Sequence, residues 1–376
     1  MNTIAMMRQS VPSLALLVLG VLSACGGDDD QNNTNPFQPT TPTIALVANQ
    51  ASNNVSAFTI DESTGALVPV AGSPFAAGGT TPGGVAVSSD GTLAYVANQG
   101  SNNVSAFAVN PSTGSLTAIA GSPFPAGTTP LRVAISPNQS FLYVTNQGSN
   151  NISAYAISAT GGLTSITSSP FAAGFTPSGV ACSPNGAFLF VANQGSNTVS
   201  AYTINASGQL SPVMNSPFAV GTTPVGIVVT PDGKFLYVSN QGSNFVSALA
   251  IQPDGALAPI IGSPFATGIT PAGITISPNG SFLYVANQST NNVSSFTVNA
   301  GTGVLTPIGS PSPSGTTPTA VTVSPDGAFL YVANQGSNDV FAYTVNSASG
   351  ALSVVSGTPF ATGGVTPRAI ATPGRP

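Results

Sequence analysis

A repeat of about 47 residues is the feature that most limits what this chain can fold into. The motif Val-(Ala/Thr/Ser)-Asn-Gln recurs seven times, with successive asparagines 47 to 49 residues apart. These asparagines are Asn49, Asn98, Asn146, Asn193, Asn240, Asn287 and Asn334. Self-similarity at a fixed period of this size is typical of a repeat architecture. The chain must therefore bury its core by packing copies of one unit against each other.

Each unit has the pattern of four short strands. In the second complete copy we predict strands at 131–136, 141–145, 152–157 and 163–166. These segments are rich in β-branched and aromatic residues, and Gly, Pro, Asn or Asp stands in every gap between them. Four strands per unit at this period are typical of a propeller blade.

The two ends of the chain divide one repeat between them. The first copy begins at its second strand, 44–48, whereas the chain ends on an isolated first strand, 368–372. A closed ring explains this split, because the last strand can become the innermost strand of the N-terminal blade and remove an open sheet edge. We therefore predict an all-β, seven-bladed propeller over residues 43–376, with four antiparallel strands per blade. An open solenoid is the alternative, but it gives no reason to split a repeat.

The N-terminus has the pattern of an export signal. Residues 1–24 contain Arg8 and then an apolar stretch at 14–22, which is too short for a permanent membrane span. The signal ends in Leu-Ser-Ala-Cys25, which resembles the lipobox of bacterial lipoproteins. The resemblance implies that Cys25 becomes the acylated first residue and anchors the protein in a membrane. The alternative is an ordinary secretory signal followed by an incidental cysteine.

Residues 25–42 are rich in Gly, Asp, Asn and Pro and contain few apolar residues, so we predict a flexible tether. Gly26 follows the cysteine at a position where Asp favours retention in the inner membrane of some bacteria. We therefore expect the protein in the cell envelope, at the outer membrane or cell surface in preference to the inner membrane.

Charged residues are scarce, and this scarcity excludes several function classes. Only 4% of residues are charged, five are Lys or Arg, and His is absent. Nucleic acid is not an expected partner, because phosphate neutralisation needs clustered cations. We find no metal-ligand spacing and no cofactor motif, and we predict neither a metal nor a cofactor. Cys182 stands where the sister repeats have Val or Ile, which favours a small buried apolar residue over a reactive thiol.

The motif Tyr143-Val-Thr-Asn146 and its four close variants, together with turns such as Ser324-Pro-Asp-Gly327, resemble the YVTN repeats of the lactonase-type β-propeller family. The resemblance extends over residues 42–376 and implies a seven-bladed propeller. The family includes bacterial 6-phosphogluconolactonases of propeller type and many surface-layer proteins without enzymatic activity. The repeat motif is structural, so the resemblance is informative about fold and much less so about activity.

Acidic residues outside the tether occupy turns. Asp90, Asp232 and Asp326 share one turn position between the first and second strands, where Asp commonly bonds its own backbone. Asp61, Glu62 and Asp254 precede fourth strands, and Asp339 follows an Asn-Gln-Gly-Ser-Asn loop. That loop predicts a tight turn, or alternatively a ring of neutral donors and acceptors for glycan or protein contact. No two carboxylates are set apart as an acid and base.

Arg132 and Arg368 are the candidate ligand contacts, because each begins an innermost strand near the expected channel mouth. Sister repeats have Gly or Ala where Arg132 stands. Such an arginine suits an anion or carboxylate clamp, although it could instead pair with backbone carbonyls at the channel rim. The two positions differ by one residue within their strands, which predicts side chains on opposite sides of their blades.

Two functions follow from these observations. The first is a lipid-anchored binding or interaction scaffold without an evident catalytic site, with a glycan, small molecule or protein bound on the central-channel face. The alternative is a lactonase, for an unphosphorylated lactone given the few cations, and it depends on the family resemblance. A surface-layer component is a third possibility.

Overall fold

The computed structural model describes residues 43–374, which form seven antiparallel β-sheets arranged as blades. Each blade has four strands in order from the centre outward, and a short strand of two residues pairs separately with the third strand. The predicted seven-bladed propeller is confirmed, whereas the short strand was not predicted. The signal at 1–24, the tether at 25–42 and acylation of Cys25 lie outside the described residues. No helix in residues 43–374 is long and apolar enough to cross a membrane.

We number the blades 1 to 7 by the chain order of their second strands. The innermost strands of blades 1 to 7 are Pro367–Ala371, Pro82–Val87, Pro130–Ile135, Pro177–Cys182, Pro224–Val229, Pro271–Ile276 and Pro318–Val323. The second strands are Ile44–Asn49, Leu93–Asn98, Phe141–Asn146, Phe188–Asn193, Phe235–Asn240, Phe282–Asn287 and Phe329–Asn334. The third strands are Asn54–Ile60, Asn103–Val109, Asn151–Ile157, Thr198–Ile204, Phe245–Ile251, Asn292–Val298 and Asp339–Val345.

The outer strands are shorter. The fourth strands are Leu67–Pro69, Leu116–Ala118, Leu163–Ser165, Leu210–Pro212, Leu257–Pro259, Leu305–Pro307 and Leu352–Val354. The short fifth strands are Phe75–Ala76, Phe124–Pro125, Phe171–Ala172, Phe218–Ala219, Phe265–Ala266, Ser312–Pro313 and Phe360–Ala361.

Strand Pro367–Ala371 closes the ring as predicted, because it pairs antiparallel with Ile44–Asn49 in blade 1, with Ile370 opposite Val47. The innermost strands contact one another in an unbroken cycle, in which the closing strand lies between those of blades 7 and 2. Blade 1 therefore joins both ends of the folded chain in one sheet.

The core lies between blades. Along each second strand, successive side chains face opposite neighbouring blades, as the two-residue period of a strand requires. Leu142 and Val144 of blade 3 pack in a cluster with blade 2, whereas Tyr143 between them packs in the cluster with blade 4. All three are fully buried. The alternation of the YVTN motif thus attaches each blade to both neighbours.

The motif tyrosines add a directional bond between blades. The Tyr143 hydroxyl donates to the Gly208 carbonyl of the next blade at 3.0 Å, and three further tyrosines repeat the contact. Tyr331 of blade 7 donates to the Gly65 carbonyl of blade 1 at 3.0 Å, so one of these bonds crosses the joint of the ring. Blade 4 has Phe190 and blade 1 has Leu46 at this position, so the bond is absent from both.

Candidate functional site

The innermost strands surround an axial channel with two cavities. One, of about 270 Å³, is lined near the starts of these strands by small and aliphatic residues and by Arg132. The second, of about 510 Å³, is lined by the strand ends and the turns that follow them. We call the end of the channel with the first cavity the arginine mouth and the end with the second cavity the proline mouth. Among residues 43–374, Arg132 is the only charged residue that lines either cavity.

Arg132 reaches across the arginine mouth to two other blades. Its Nη1 donates to the Gly83 carbonyl of blade 2 at 2.6 Å and to the Arg368 carbonyl of blade 1 at 3.3 Å. Burial, and then the positive charge of Arg368, lower the pKa of the Arg132 guanidinium to about 10. The cation is therefore held by neutral carbonyls and has no carboxylate partner among the described residues.

Arg368 contacts Arg132 through its backbone, since its carbonyl accepts the 3.3 Å bond from Arg132 Nη1. The register keeps the two residues one position apart, because Ala369 and not Arg368 occupies the position of Arg132. The same β-bulge begins the innermost strand of every blade, so it does not remove this offset. Arg368 is not among the residues that line the cavity at the arginine mouth. Burial lowers the Arg368 pKa as well, and its Nε has no hydrogen-bond partner in the described part of the chain. Contact of either arginine with a ligand stays a prediction.

The carboxylates lie away from the channel cavities and stabilise turns. Asp90, Asp232 and Asp326 each accept a hydrogen bond from the backbone N–H two residues later, at 3.0 to 3.1 Å. At Asp90, burial acts to raise the pKa, but hydrogen bonds from Ser88 and Thr92 outweigh it and the pKa is lowered. Asp61 likewise accepts from the Ser63 backbone at 2.9 Å. These four acids are turn residues, and none of them lines either channel cavity, where a base for the reaction would have to lie.

Other reactive groups near the channel are few. Cys182 of blade 4 lines the cavity at the proline mouth, and burial raises the pKa of its thiol to about 12. The thiol is therefore protonated at neutral pH, in keeping with the predicted unreactive role. Residues 43–374 contain no cluster of three or more His, Cys, Asp or Glu that could hold a metal ion.

The Asn-Gln-Gly-Ser-Asn loop has a clear structural role. Its last asparagine, Asn150 in blade 3, has φ 55° and accepts a 2.7 Å hydrogen bond from the Thr176 backbone in the linker to the next blade. The same bond, from a Thr backbone N–H to an Asn Oδ1, recurs in all seven blades. The first asparagine, Asn146, donates to Asn151 and Ser153 on the third strand. These bonds position the glutamine between them at the arginine mouth.

Seven glutamines follow the motif asparagines and encircle the arginine mouth. They are Gln50, Gln99, Gln147, Gln194, Gln241, Gln288 and Gln335. Neighbouring side chains pair in three places, between blades 1 and 2, 3 and 4, and 5 and 6. Gln99 fills the space beside Gly83, whose carbonyl holds Arg132. We call these seven residues the glutamine ring, and it places neutral donors and acceptors next to the carbonyl that holds Arg132.

Two departures from the repeat were not recognised in the sequence. Exposed apolar side chains, Phe175, Ile269 and Val365, stand in the linkers to innermost strands where the other copies have Thr. At the proline mouth, Ser89 and Gln139 replace the usual Pro and Gly of their turns. Alignment of the repeats by position would have revealed both.

Known structures share this architecture. A candidate 6-phosphogluconolactonase from Bacteroides uniformis has a TM-score of 0.77 and 21% identity, over 88% of this chain and 99% of that one. A similar candidate from Bacteroides fragilis gives 0.77 and 22%, over 91% and 99%. The Pseudomonas aeruginosa periplasmic gluconolactonase gives 0.74 and 20%, over 89% and 99%. Identities this low establish the fold alone.

Sequence comparison is more specific than these structural likenesses. No curated protein matches the chain. The family model described as lactonase, seven-bladed β-propeller, matches residues 43–131, 119–227, 209–322 and 310–374, which together span the propeller from end to end. The chain therefore belongs to the lactonase family of seven-bladed β-propellers.

Proposed function

We propose that this protein is a lactone hydrolase whose substrate binds at the arginine mouth. Family membership favours this activity over the binding scaffold that the sequence analysis placed first. The observation that carries the proposal is Arg132, a buried cation in the channel wall that only backbone carbonyls hold. Such a group suits the oxygen-rich end of a lactone.

The chemistry follows from charge development in ester hydrolysis. Water or hydroxide adds to the lactone carbonyl carbon, and negative charge collects on the carbonyl oxygen. Arg132 donates to that oxyanion, and the partial burial of the guanidinium in the channel wall strengthens the interaction. A water nucleophile loses one proton to solvent as it adds. The ring C–O bond then breaks, the leaving alkoxide takes a proton from water, and the new carboxylic acid gives its proton to solvent, so lactone and water yield a hydroxy carboxylate and one released proton.

Neutral groups bind the part of the substrate that lies beyond the lactone carbonyl. The glutamine ring offers amide donors and acceptors beside Arg132, as hydroxyl groups of a sugar-like lactone require. Arg132 is the only cation among the described residues that line this mouth, which is few for a phosphate in addition to an oxyanion. An unphosphorylated lactone therefore fits this site better than a phosphorylated one.

The test is hydrolysis by the purified propeller, followed in a pH-stat with gluconolactone, δ-valerolactone and γ-butyrolactone. We expect acid release faster than in buffer, with a loss of at least tenfold in the Arg132→Ala variant, since one oxyanion donor is commonly worth about that much or more. Lys234→Ala is the matched control, because Lys234 is an exposed cation that lines neither channel cavity. Acceleration that is absent, or equal in Arg132→Ala, would refute the proposal.

A second candidate function is binding without turnover. It is favoured by the lack of any carboxylate or His among the described residues that line the channel cavities. Calorimetry with the same lactones distinguishes the two, because a binding module gives saturable heat without acid release.

We further propose that residues 1–24 direct export and that Cys25 carries the lipid, as the lipobox resemblance implies. Metabolic labelling with a fatty acid should label the wild-type protein and not a Cys25→Ser variant. Labelling of both proteins would exclude this attachment site.

A further inference from the structure

The proline mouth contains the larger cavity of the channel, about 510 Å³, and the proposed hydrolysis makes no use of it. Volumes of this size are typical of small-molecule sites, which are mostly apolar with a few placed polar groups. The lining residues have this character. Aliphatic ends of the innermost strands, such as Val87, Ile135 and Ile276, form part of the wall.

Prolines form the rim of this cavity with one exception. Six blades contribute Pro137, Pro184, Pro231, Pro278, Pro325 and Pro373 from their turns, whereas blade 2 contributes Ser89. The rim is thus rigid and apolar on six sides, and a hydroxyl group replaces the ring of proline on the seventh.

Gln139 is a second departure, and it lies next to the first. The corresponding turns in blades 2 and 4 to 7 have Gly with φ between 69° and 81°, and Gln139 adopts φ 58° in the same left-handed region. A side chain in this region is unfavourable by about 1 kcal/mol or more. The Gln139 Nε2 donates to the Ser89 Oγ at 2.7 Å.

The two departures are coupled by the geometry of the ring. In blades 2 and 4 to 7 the turn glycine faces the proline of the preceding blade, as Gly280 faces Pro231, where a Cβ would meet the proline ring at 3.3 Å. Replacement of proline by Ser89 leaves room for the longer Gln139 side chain. The pair therefore places an amide and a hydroxyl group together at one point of an apolar rim.

Charge is absent from this cavity. None of the residues in 43–374 that line it is ionised at neutral pH, and the Cys182 thiol stays protonated. An ion would lose its hydration here without gaining a counterion, which is unfavourable. A neutral molecule with a large apolar part would bury that part against the strand ends and prolines.

We propose that the proline mouth is a second binding site, for a small uncharged molecule that is largely apolar and carries one carbonyl or hydroxyl group. The apolar part lies against Val87, Ile135 and Ile276. Gln139 and Ser89 together exchange hydrogen bonds with the polar group, since each retains donor or acceptor capacity beyond their mutual bond. This site is independent of lactone hydrolysis at the arginine mouth.

The probe for the test is Prodan, an uncharged naphthalene with one ketone, whose fluorescence reports on the polarity around it. Wild-type protein should bind it saturably with a blue shift. The double variant Ser89→Pro, Gln139→Gly restores the residues of the sister blades, so it should fold, and its affinity should fall at least fivefold. Thr275→Phe, which places a ring in the cavity, should abolish binding, and Arg132→Ala should leave it unchanged.

Moving the Ser and Gln pair to another position on the rim shows whether the pair binds the ligand or only stabilises the turns. In the double variant, Pro231→Ser together with Gly280→Gln rebuilds the pair between blades 5 and 6, and binding should recover because the cavity is nearly symmetric. Thermal unfolding of each variant verifies that it is folded. The proposal is overturned if wild type does not bind Prodan or if Thr275→Phe binds it normally. It is also overturned if the Ser89→Pro, Gln139→Gly variant keeps full affinity.

Discussion

Replacement of Arg132 by alanine should stabilise the folded protein at neutral pH, although it removes two hydrogen bonds. Alanine occurs at the same register position in blades 1 and 7, as Ala369 and Ala320, so the strand accepts it. The substitution keeps the Cβ and removes only the buried charge with its stem. The result tests whether burial of the Arg132 charge destabilises the folded protein in the absence of an anion. Such a cost is expected of a site that binds an anion.

The magnitude follows from the pKa of Arg132. Burial and the charge of Arg368 lower that pKa to about 10, from a usual range above about 12, which corresponds to roughly 3 kcal/mol against the charged form. Bonds from Nη1 to the carbonyls of Gly83 and Arg368 offset about 2 kcal/mol of this. We therefore expect Arg132→Ala to raise the free energy of unfolding by about 1 kcal/mol at pH 7.

The pH dependence gives the sharper test. Because the pKa is lower in the folded state, the unfolded chain binds more protons between the two pKa values, and wild-type stability rises with pH there. The advantage of the alanine variant is thus complete below about pH 9 and should shrink by roughly 1 kcal/mol as the pH reaches about 11. Buried tyrosines titrate alike in both proteins and cancel.

The assay is urea unfolding of both proteins at several pH values from neutral to alkaline. Acetate added at constant ionic strength should stabilise wild type and leave Arg132→Ala unaffected, since the anion relieves the unpaired charge. A stability difference that stays constant with pH, or a variant less stable than wild type at pH 7, would refute the reasoning from desolvation.

Three further predictions concern the ring and the reaction. Tyr331→Phe removes the bond to Gly65 across the joint and should lower the free energy of unfolding by about 1–2 kcal/mol in the same urea assay. Phe190→Tyr should add the bond that blade 4 lacks and raise the free energy of unfolding by about 0.5–1 kcal/mol. Lys234→Ala should change stability by less than about 0.5 kcal/mol, because its ion pair with Asp232 is exposed, and a larger loss would contradict that view. The rate of lactone hydrolysis should rise about tenfold per pH unit from neutral to mildly alkaline pH, because no side-chain base among the described residues lines the channel cavities and hydroxide is then the nucleophile. A plateau in the rate would instead indicate a side-chain base.

The repeat made the fold predictable in detail. Seven motif asparagines gave the blade count, and the divided repeat gave the closing strand at Pro367–Ala371. The short fifth strands, such as Phe171–Ala172, escaped prediction because two residues carry no periodicity.

The candidate site was only partly predictable. Arg132 was identified because it interrupts a column of small residues, but its bond to the Arg368 carbonyl, 236 residues away, depends on ring closure and on how far the side chain extends across the mouth. The divided repeat predicts the closure, whereas nothing in the local sequence shows which carbonyls the guanidinium reaches. Ser89 and Gln139 each resemble ordinary turn variation, and their pairing becomes evident only when adjacent blades are placed side by side.

The pairing in the glutamine ring makes the arginine mouth asymmetric even where the blades are alike. In each of three pairs one Nε2 donates to the Oε1 of the neighbour, and these pairs include six of the seven residues. Gln335 of blade 7 is left without an amide partner in the described residues, next to Gln50 and Gln288, which are both already paired. In this arrangement a ligand can form a hydrogen bond with the Gln335 amide without breaking one that the protein already has.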